Sequence, residues 1–129
     1  MQYKILIQTP KIDDIILELD DQYSPTTVRS FVDKLPFTVK LNVWGEELYT
    51  SVSPIYVSEE NSKSVVSLND VAYWPLGKAI CLFYGPTPIS NKGEIIPASP
   101  VNIIGKIVAA DKTILKKIEG TNVTFRLGC

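Results

Sequence analysis

A run of six apolar residues constrains the fold more than any other part of the chain. Residues 79–84, Ala-Ile-Cys-Leu-Phe-Tyr, are apolar at every position, whereas a strand with one solvated face alternates apolar and polar side chains. We therefore predict that residues 79–84 form a strand that is buried on both faces. A loop rich in glycine and proline, residues 85–102, follows this strand. We interpret it as the ordered wall of a site, because loops of this length in compact domains are commonly functional.

Strand patterns recur along the rest of the chain. Apolar and β-branched residues alternate or cluster in short runs, which are separated by Gly, Pro, Asn and Asp. Besides residues 79–84, the predicted strands are residues 2–8, 14–19, 37–44, 46–52, 54–57, 65–68, 71–74, 103–108 and 122–127. Many short strands at close spacing indicate a mainly β fold, either a closed barrel or a sandwich.

Two short helices are predicted between the strands. Ser24 before Pro25 is typical of a helix start, because a hydroxyl can cap the helix and proline suits its first turn. This helix ends before Pro36, and a second helix is predicted to be capped by Asp111 and to end at Gly120. The residues that pack are Val28, Phe31, Val32 and Leu35 in the first helix, and Ile114, Leu115 and Ile118 in the second.

Charge and hydropathy narrow the classes of function. The chain of 129 residues has 13 basic and 14 acidic residues, a net charge of −1, so it lacks the basic surface that nucleic-acid binding requires. Because no run of about 18 apolar residues occurs, we expect neither a membrane-spanning helix nor a membrane partner. The first residues lack the basic region and apolar core of a signal peptide, and we expect a single cytoplasmic domain over residues 1–129.

Histidine and cysteine usage excludes several kinds of site. The chain contains no histidine, which excludes Ser–His and Cys–His nucleophilic catalysis and zinc sites built on imidazole. Its two cysteines are Cys81, in the apolar strand, and Cys129, the last residue. We expect both to be free thiols, because a buried strand residue and a chain end make a poor disulfide pair. We therefore expect no metal site and no cofactor.

The C-terminal segment resembles a known family. Residues 105–120, Gly-Lys-Ile-Val-Ala-Ala-Asp-Lys-Thr-Ile-Leu-Lys-Lys-Ile-Glu-Gly, are similar to the closing segment of cyclophilins, in which a Gly-Lys-Val strand leads into a short helix and the final strand. Four further segments are similar to a more specific family, the short cyclophilin-like proteins of bacteria and archaea, which have no established function. These segments are residues 44–49, 72–75 with 77–79, 83–90 and 97–102. This resemblance implies a closed, eight-stranded β-barrel capped by two short helices.

The resemblance also implies a test of prolyl isomerase activity. Cyclophilins use an arginine of the middle strand region, which donates hydrogen bonds to the prolyl amide beside an apolar pocket. Residues 36–57 contain no arginine, and the chain's only arginines are Arg29 and Arg126, in the first helix and the last strand. Ile96 and Val101 stand near the places of the pocket's aromatic residue and histidine. A standard isomerase mechanism therefore lacks its hydrogen-bond donor, a kind of group that typically stabilises the transition state by about 3 kcal/mol.

Eight residues are candidates for ligand binding in a cleft beside residues 83–102. They are Trp44, Glu46, Tyr49, Phe83, Tyr84, Thr87, Ser99 and Asn102. Glu46 and Glu47 are adjacent, so in a strand they point to opposite faces, and only one of them can enter the cleft. Trp44 and Tyr49 are alternatively core residues, whereas Phe83 and Tyr84 alternate faces, so we expect one of them in the core and the other toward the loop. Ser99 and Asn102 alternatively form hydrogen bonds within the loop, and Thr87 alternatively belongs to a turn, residues 85–88, that only shapes the loop.

These residues leave three functions open. The first is a binding module that takes a small molecule or a proline-containing peptide into the cleft. The second is a weak or atypical peptidyl-prolyl isomerase, and the third is a structural or partner-binding protein. The oligomeric state is open between a monomer and a weak homodimer. Fold analogy alone does not choose among them, because one fold supports many functions.

Overall fold

The structure, a computed structural model, describes residues 1–9, 12–110 and 112–128, and for residues 12–14 the backbone alone. Its elements are β1 (Gln2–Thr9), β2 (Ile12–Asp20), α1 (Pro25–Lys34), β3 (Phe37–Trp44), β4 (Glu47–Thr50), β5 (Asp70–Trp74), β6 (Ala79–Phe83), β7 (Asn102–Ala109), α2 (Lys112–Lys117) and β8 (Asn122–Leu127). The strands close into a barrel in the order β1-β2-β7-β5-β6-β4-β3-β8. The predicted mainly β fold, a closed eight-stranded barrel with two short helices, is confirmed.

Two of the predicted strands are wrong. Residues 54–57 and 65–68, all of which the structure describes, form no strand. Lys63 and Val66 make only single bridges to the long loop. The apolar residues of these segments pack against the barrel instead, since Ile55 is fully buried and Val66 is buried beneath the loop. Their apolar content therefore reflects a segment that covers the barrel rather than one that pairs within it.

The barrel interior is filled by alternate residues of the strands and by one face of each helix. From α1, Val28 and Phe31 reach this interior core, and from α2, Leu115 does so. The Phe31 ring meets Phe37 and Phe125 edge-on, at centroid distances of 5.5 and 5.9 Å. Burying a large apolar side chain of this kind stabilises a fold by roughly 1.5 to 3 kcal/mol. The two helices therefore complete the core.

Of the two residues predicted to bound the second helix, the structure describes one. Gly120 has a φ of 76° beyond α2, as the predicted left-handed cap requires. The predicted cap of α2, Asp111, lies outside the described residues, as does Cys129. Neither helix of the described chain is long and apolar enough to cross a membrane.

The N-terminus of α1 is capped by a distant loop residue rather than by Ser24. The Ser24 side chain makes no capping hydrogen bond and instead donates to the Glu60 carbonyl at 3.3 Å. The Glu60 carboxylate accepts hydrogen bonds from the backbone amides of Thr26 and Thr27 at 3.0 and 2.9 Å. The prediction of Ser24 as the cap is wrong because a carboxylate offers two acceptor oxygens at the positive end of the helix dipole.

Strand β6 is buried on both faces, as its sequence predicts. Ile80 and Leu82 belong to the interior core, whereas Cys81 and Phe83 belong to a second apolar cluster. This outer cluster also contains Val66, Ala72 and Val101, with Tyr49, Trp74, Ile95 and Ile103 packed against it. The barrel wall at β4, β5 and β6 is therefore covered on its outside by the segments around residues 63–66 and 95–101.

Candidate functional site

A pocket of about 200 Å³ lies within this outer covering. Its lining consists of Trp44, Glu47, Tyr49, Trp74, Cys81, Pro97, Ala98 and Val101. We call it the outer pocket. Glu47 and Tyr49 share it because residues two apart on a strand point to the same face. Cys81 joins them because it is the register partner of Tyr49 on the adjacent strand β6. The loop forms the opposite wall.

The Glu47 carboxyl group is the one acidic group in the lining. Its residue is only 5% exposed, and among the described side chains its Oε1 is the one buried nitrogen or oxygen atom without a hydrogen-bond partner. Burial raises the pKa of Glu47 to about 7, although a hydrogen bond with Cys81 opposes this shift. Leaving such an atom unsatisfied costs about 1 to 3 kcal/mol. The outer pocket therefore contains an acceptor that nothing in the described chain uses.

Cys81 is a buried thiol at the base of the outer pocket. Its side chain is 1% exposed, and burial raises its pKa, with further contributions from the Glu47 charge and hydrogen bond. The thiol therefore stays protonated and acts as a weak donor toward the carboxylate. A protonated, buried thiol is a poor nucleophile, so what Cys81 contributes to the outer pocket is its hydrogen bond with Glu47.

Trp44 and Tyr49, two of the residues predicted for the site, line the outer pocket. Glu46 points elsewhere, since its carboxylate forms ion pairs with Lys112 at 2.8 Å and Lys116 at 3.8 Å, both on α2. Of the two adjacent glutamates, Glu47 is the one that enters the pocket. The assignment of Glu46 as a ligand-binding residue stays a prediction, and its observed contacts tie α2 to the start of β4.

Two aromatic candidates, Phe83 at the end of β6 and Tyr84 directly after it, lie on opposite sides of the barrel wall. Phe83 is fully buried in the outer cluster, next to the pocket but outside its lining. Tyr84 is 4% exposed and belongs to the interior core. Tyr84 also lines a separate cleft beside loop residues 85–95, so neither side chain enters the outer pocket, and their assignment as ligand-binding residues stays a prediction.

The polar candidates of the long loop make internal hydrogen bonds. Thr87 bonds the Ser90 hydroxyl at 2.9 Å and donates to the Ile96 carbonyl. Ser99 accepts a hydrogen bond from the Trp74 indole, so it fixes one aromatic wall of the outer pocket. These contacts position the loop. Ser99 itself does not line the outer pocket, but it contacts Trp74, which does.

Asn102 connects three segments at the start of β7. Its side-chain oxygen accepts from the Glu60 amide at 2.8 Å, and its amide group donates to the Ser58 carbonyl at 3.0 Å and the Thr27 hydroxyl at 3.1 Å. The side chain is fully buried. Asn102 therefore holds in place the loop residue that caps α1.

Sequence reasoning missed several residues of the outer pocket, of which Glu47 matters most. The pairing of Trp44 with Glu47 starts β4 one residue later than predicted, because Gly45, at φ 62°, makes the preceding turn. Counting back by two from Tyr49 would have selected Glu47 rather than Glu46. Trp74, Cys81, Pro97, Ala98 and Val101 complete the set that was not predicted.

The described residues offer neither a metal centre nor an isomerase donor at this site. They contain no group of three or more Cys, Asp or Glu side chains arranged to hold a metal ion. Arg29 and Arg126 are both described, and neither contributes to the lining of the outer pocket. The chemistry available there is that of one carboxyl group among apolar and aromatic side chains.

Comparison with known proteins agrees with the fold and adds no activity. A family model described as cyclophilin-like matches residues 1–126. The solution structure of a hypothetical protein from Archaeoglobus fulgidus is similar, with a TM-score of 0.82 and 41% sequence identity over 98% of this chain and 95% of that chain. We found no match among curated proteins.

Proposed function

The chain belongs to the cyclophilin-like family, and we propose that it is a binding module that takes a small molecule, or the end of a peptide, into the outer pocket. The observation that carries this proposal is the Glu47 Oε1 atom, a buried acceptor without a partner in the described chain. Buried polar groups in native proteins are nearly always hydrogen-bonded, so this acceptor beside a cavity calls for a partner from outside the described chain. A ligand donor would satisfy this atom.

The shape and composition of the outer pocket support the proposal. Ligand sites are typically apolar and aromatic concavities with a few polar groups that fix the ligand's orientation. Here Trp44, Tyr49 and Trp74 provide aromatic walls, and Glu47 provides the polar group. A cavity of roughly 150 Å³ is sufficient to hold benzene. At about 200 Å³, the outer pocket accommodates one ring with a short substituent.

The walls of the pocket are held by hydrogen bonds independent of any ligand. Val101 and Lys63 exchange two backbone hydrogen bonds of 2.8 and 3.0 Å, and the Trp74 indole is fixed by Ser99. Pre-formed walls favour binding because less conformational entropy is lost when the ligand arrives.

The two tryptophans of the chain make this proposal directly testable. Both Trp44 and Trp74 line the outer pocket, so ligand entry should change the intrinsic fluorescence. We would titrate a library of compounds with one ring and a short polar substituent, and map each hit by chemical-shift changes in the ¹⁵N-labelled protein. Hits should shift the amides of Glu47, Cys81 and Ala98.

A matched pair of variants separates pocket binding from loop effects. Ala98→Phe places a ring at the pocket mouth and should weaken binding about tenfold or more, which is 1.4 kcal/mol. Ile89→Phe changes the same loop at a residue that is half exposed and outside the lining, and binding should be unchanged. Equal affinity in both variants, or hits that map to another surface, would contradict the proposal.

A further inference from the structure

We propose that the outer pocket selects ligands that carry a protonated amine on a compact apolar body, with the amine paired to the Glu47 carboxylate. This inference deepens the proposed function and rests on it. It names the chemical class of the ligand, which the existence of a pocket alone leaves undefined.

The charge distribution within the pocket is the first argument. Among the described residues that line it, Glu47 is the one acidic side chain, and none is lysine or arginine. The lysines near the neighbouring residue are occupied on another surface, where Lys112 and Lys116 pair with Glu46. An ionised Glu47 therefore has no cation of its own, and burying a charge without a partner is strongly unfavourable. A cationic ligand supplies the missing charge.

The orientation of the carboxyl group is the second argument. The Cys81 thiol shares a hydrogen bond with Glu47, whereas Oε1 has no partner in the described chain. An ionised carboxylate only accepts hydrogen bonds, so the free oxygen requires an N–H or O–H donor. A hydroxyl group can donate to this oxygen but leaves the buried negative charge without a counter-ion, whereas an ammonium group supplies both the donor and the opposite charge. An ammonium group therefore fits Oε1 better than a hydroxyl group.

The aromatic walls are the third argument. Trp44, Tyr49 and Trp74 surround the same volume as the carboxylate. The faces of these rings carry partial negative charge and attract cations, and tryptophan does so most strongly. The same rings disfavour an anionic ligand, which would also be repelled by Glu47. An apolar body on the ligand would then occupy the volume between Pro97, Ala98 and Val101.

The inference predicts a definite dependence of binding on pH. The titratable groups that face Glu47 are Cys81 on β6 and Tyr49 on β4, and the segment 97–101 contributes none. Cys81 stays protonated because its pKa is raised. Glu47, with a pKa raised to about 7 by burial, is mostly protonated at pH 6 and mostly ionised at pH 8. Amine binding should therefore strengthen up to about tenfold between these values.

The test compares three probes of similar shape and different charge. Benzylamine, benzyl alcohol and benzoate would be titrated into the full chain at pH 6 and pH 8, by calorimetry and by tryptophan fluorescence. Butylamine and butanol form a second, smaller pair in case the ring is too large. At pH 8 each amine should bind at least about tenfold more tightly than its alcohol, because only the amine supplies the counter-charge that a buried, ionised Glu47 lacks.

Two neighbouring variants provide the controls. Glu47→Gln keeps the shape of the side chain and should remove both the amine preference and its pH dependence, while alcohol binding changes little. Glu46→Gln alters the adjacent carboxylate, which pairs with α2, and should retain both. A ¹⁵N correlation spectrum of each variant establishes that it is folded.

The outcomes separate this inference from the proposed function. If the alcohol or benzoate binds as tightly as the amine at pH 8, or if the amine preference survives in Glu47→Gln, the ligand class is wrong while the pocket remains a binding site. If no probe perturbs the resonances of Trp44 and Trp74, both the ligand class and the proposed function are overturned. An amine preference lost in Glu47→Gln and kept in Glu46→Gln supports the inference.

Discussion

The inner and outer faces of the barrel wall at β4, β5 and β6 treat buried polar groups differently. Inside the barrel, the Tyr73 hydroxyl donates to the Ile55 carbonyl at 2.7 Å, so a buried polar group is fully used by the fold. Outside it, the Glu47 carboxyl faces a cavity and keeps one oxygen without a partner in the described chain. The interior satisfies its buried polar group, whereas the outer face retains an unsatisfied acceptor beside a cavity. Such a local cost is typical of functional sites.

The largest expected effect compares two adjacent residues of β6. Leu82 faces the interior and is fully buried, and Cys81 faces the outer pocket. Leu82→Ala should lower the free energy of unfolding by about 3 to 4 kcal/mol, because it opens a cavity in a filled core. Cys81→Ala should cost only about 1 kcal/mol, because its side chain is small and already borders a cavity. Urea denaturation monitored by circular dichroism measures both.

Equal losses in these two variants would contradict the distinction between a filled interior and an outer face with spare volume. Leu82→Val serves as an intermediate variant. If the cost follows the volume removed from the interior, Leu82→Val should lower the free energy of unfolding by less than Leu82→Ala does.

The second effect concerns pH and Glu47. Because the folded protein holds a proton on Glu47 up to about pH 7, while the unfolded chain releases it near the ordinary value of about 4.3, the folded state loses stability as the pH rises between these values. Relative to the wild type, Glu47→Gln should gain roughly 2 to 3 kcal/mol between pH 5 and pH 8. Urea denaturation at both pH values measures this change.

The control for this prediction is Glu46→Gln. Its carboxylate is partly exposed and paired with lysines of α2, and surface ion pairs contribute at most about 1 kcal/mol. Its stability relative to the wild type should therefore change little between pH 5 and pH 8. A Glu47→Gln difference that stays constant over this range would show that the outer-face carboxyl is not held in its protonated form by burial.

The sequence predicts most of the fold because strand periodicity and burial are local signals. The apolar run at residues 79–84 and the strands at residues 37–44 and 122–127 are found where they are predicted. The strands predicted at residues 54–57 and 65–68 are wrong because an apolar covering segment has the same composition as a strand. What distinguishes the two is tertiary pairing, which a local pattern does not contain.

The candidate site is less predictable for a related reason. Trp44 and Tyr49 lie in the outer pocket, but the selection of Glu46 over Glu47 depended on the residue at which β4 starts. A shift of one residue moves every side chain to the other face of a strand. The walls formed by Trp74 and Val101 depend on how the long loop folds back onto the barrel, and no periodic signal within the loop encodes that contact.

The smallest predicted effect contrasts Glu47 with a glutamate whose oxygens are used. Burial disfavours the charge of Glu60, but hydrogen bonds from Thr26 and Thr27 outweigh this and lower its pKa. Glu60 therefore stabilises the fold above the ordinary glutamate pKa, and this contribution disappears as the pH falls through the lowered folded value. Glu60→Ala should cost about 1 kcal/mol near pH 7, as for loss of a helix cap, and less at pH 3, by urea denaturation. The pH dependence of stability therefore has the opposite sign to that for Glu47, because hydrogen bonds favour the charged form of Glu60 whereas burial disfavours the charged form of Glu47. A cost for Glu60→Ala that grows toward low pH would contradict this difference.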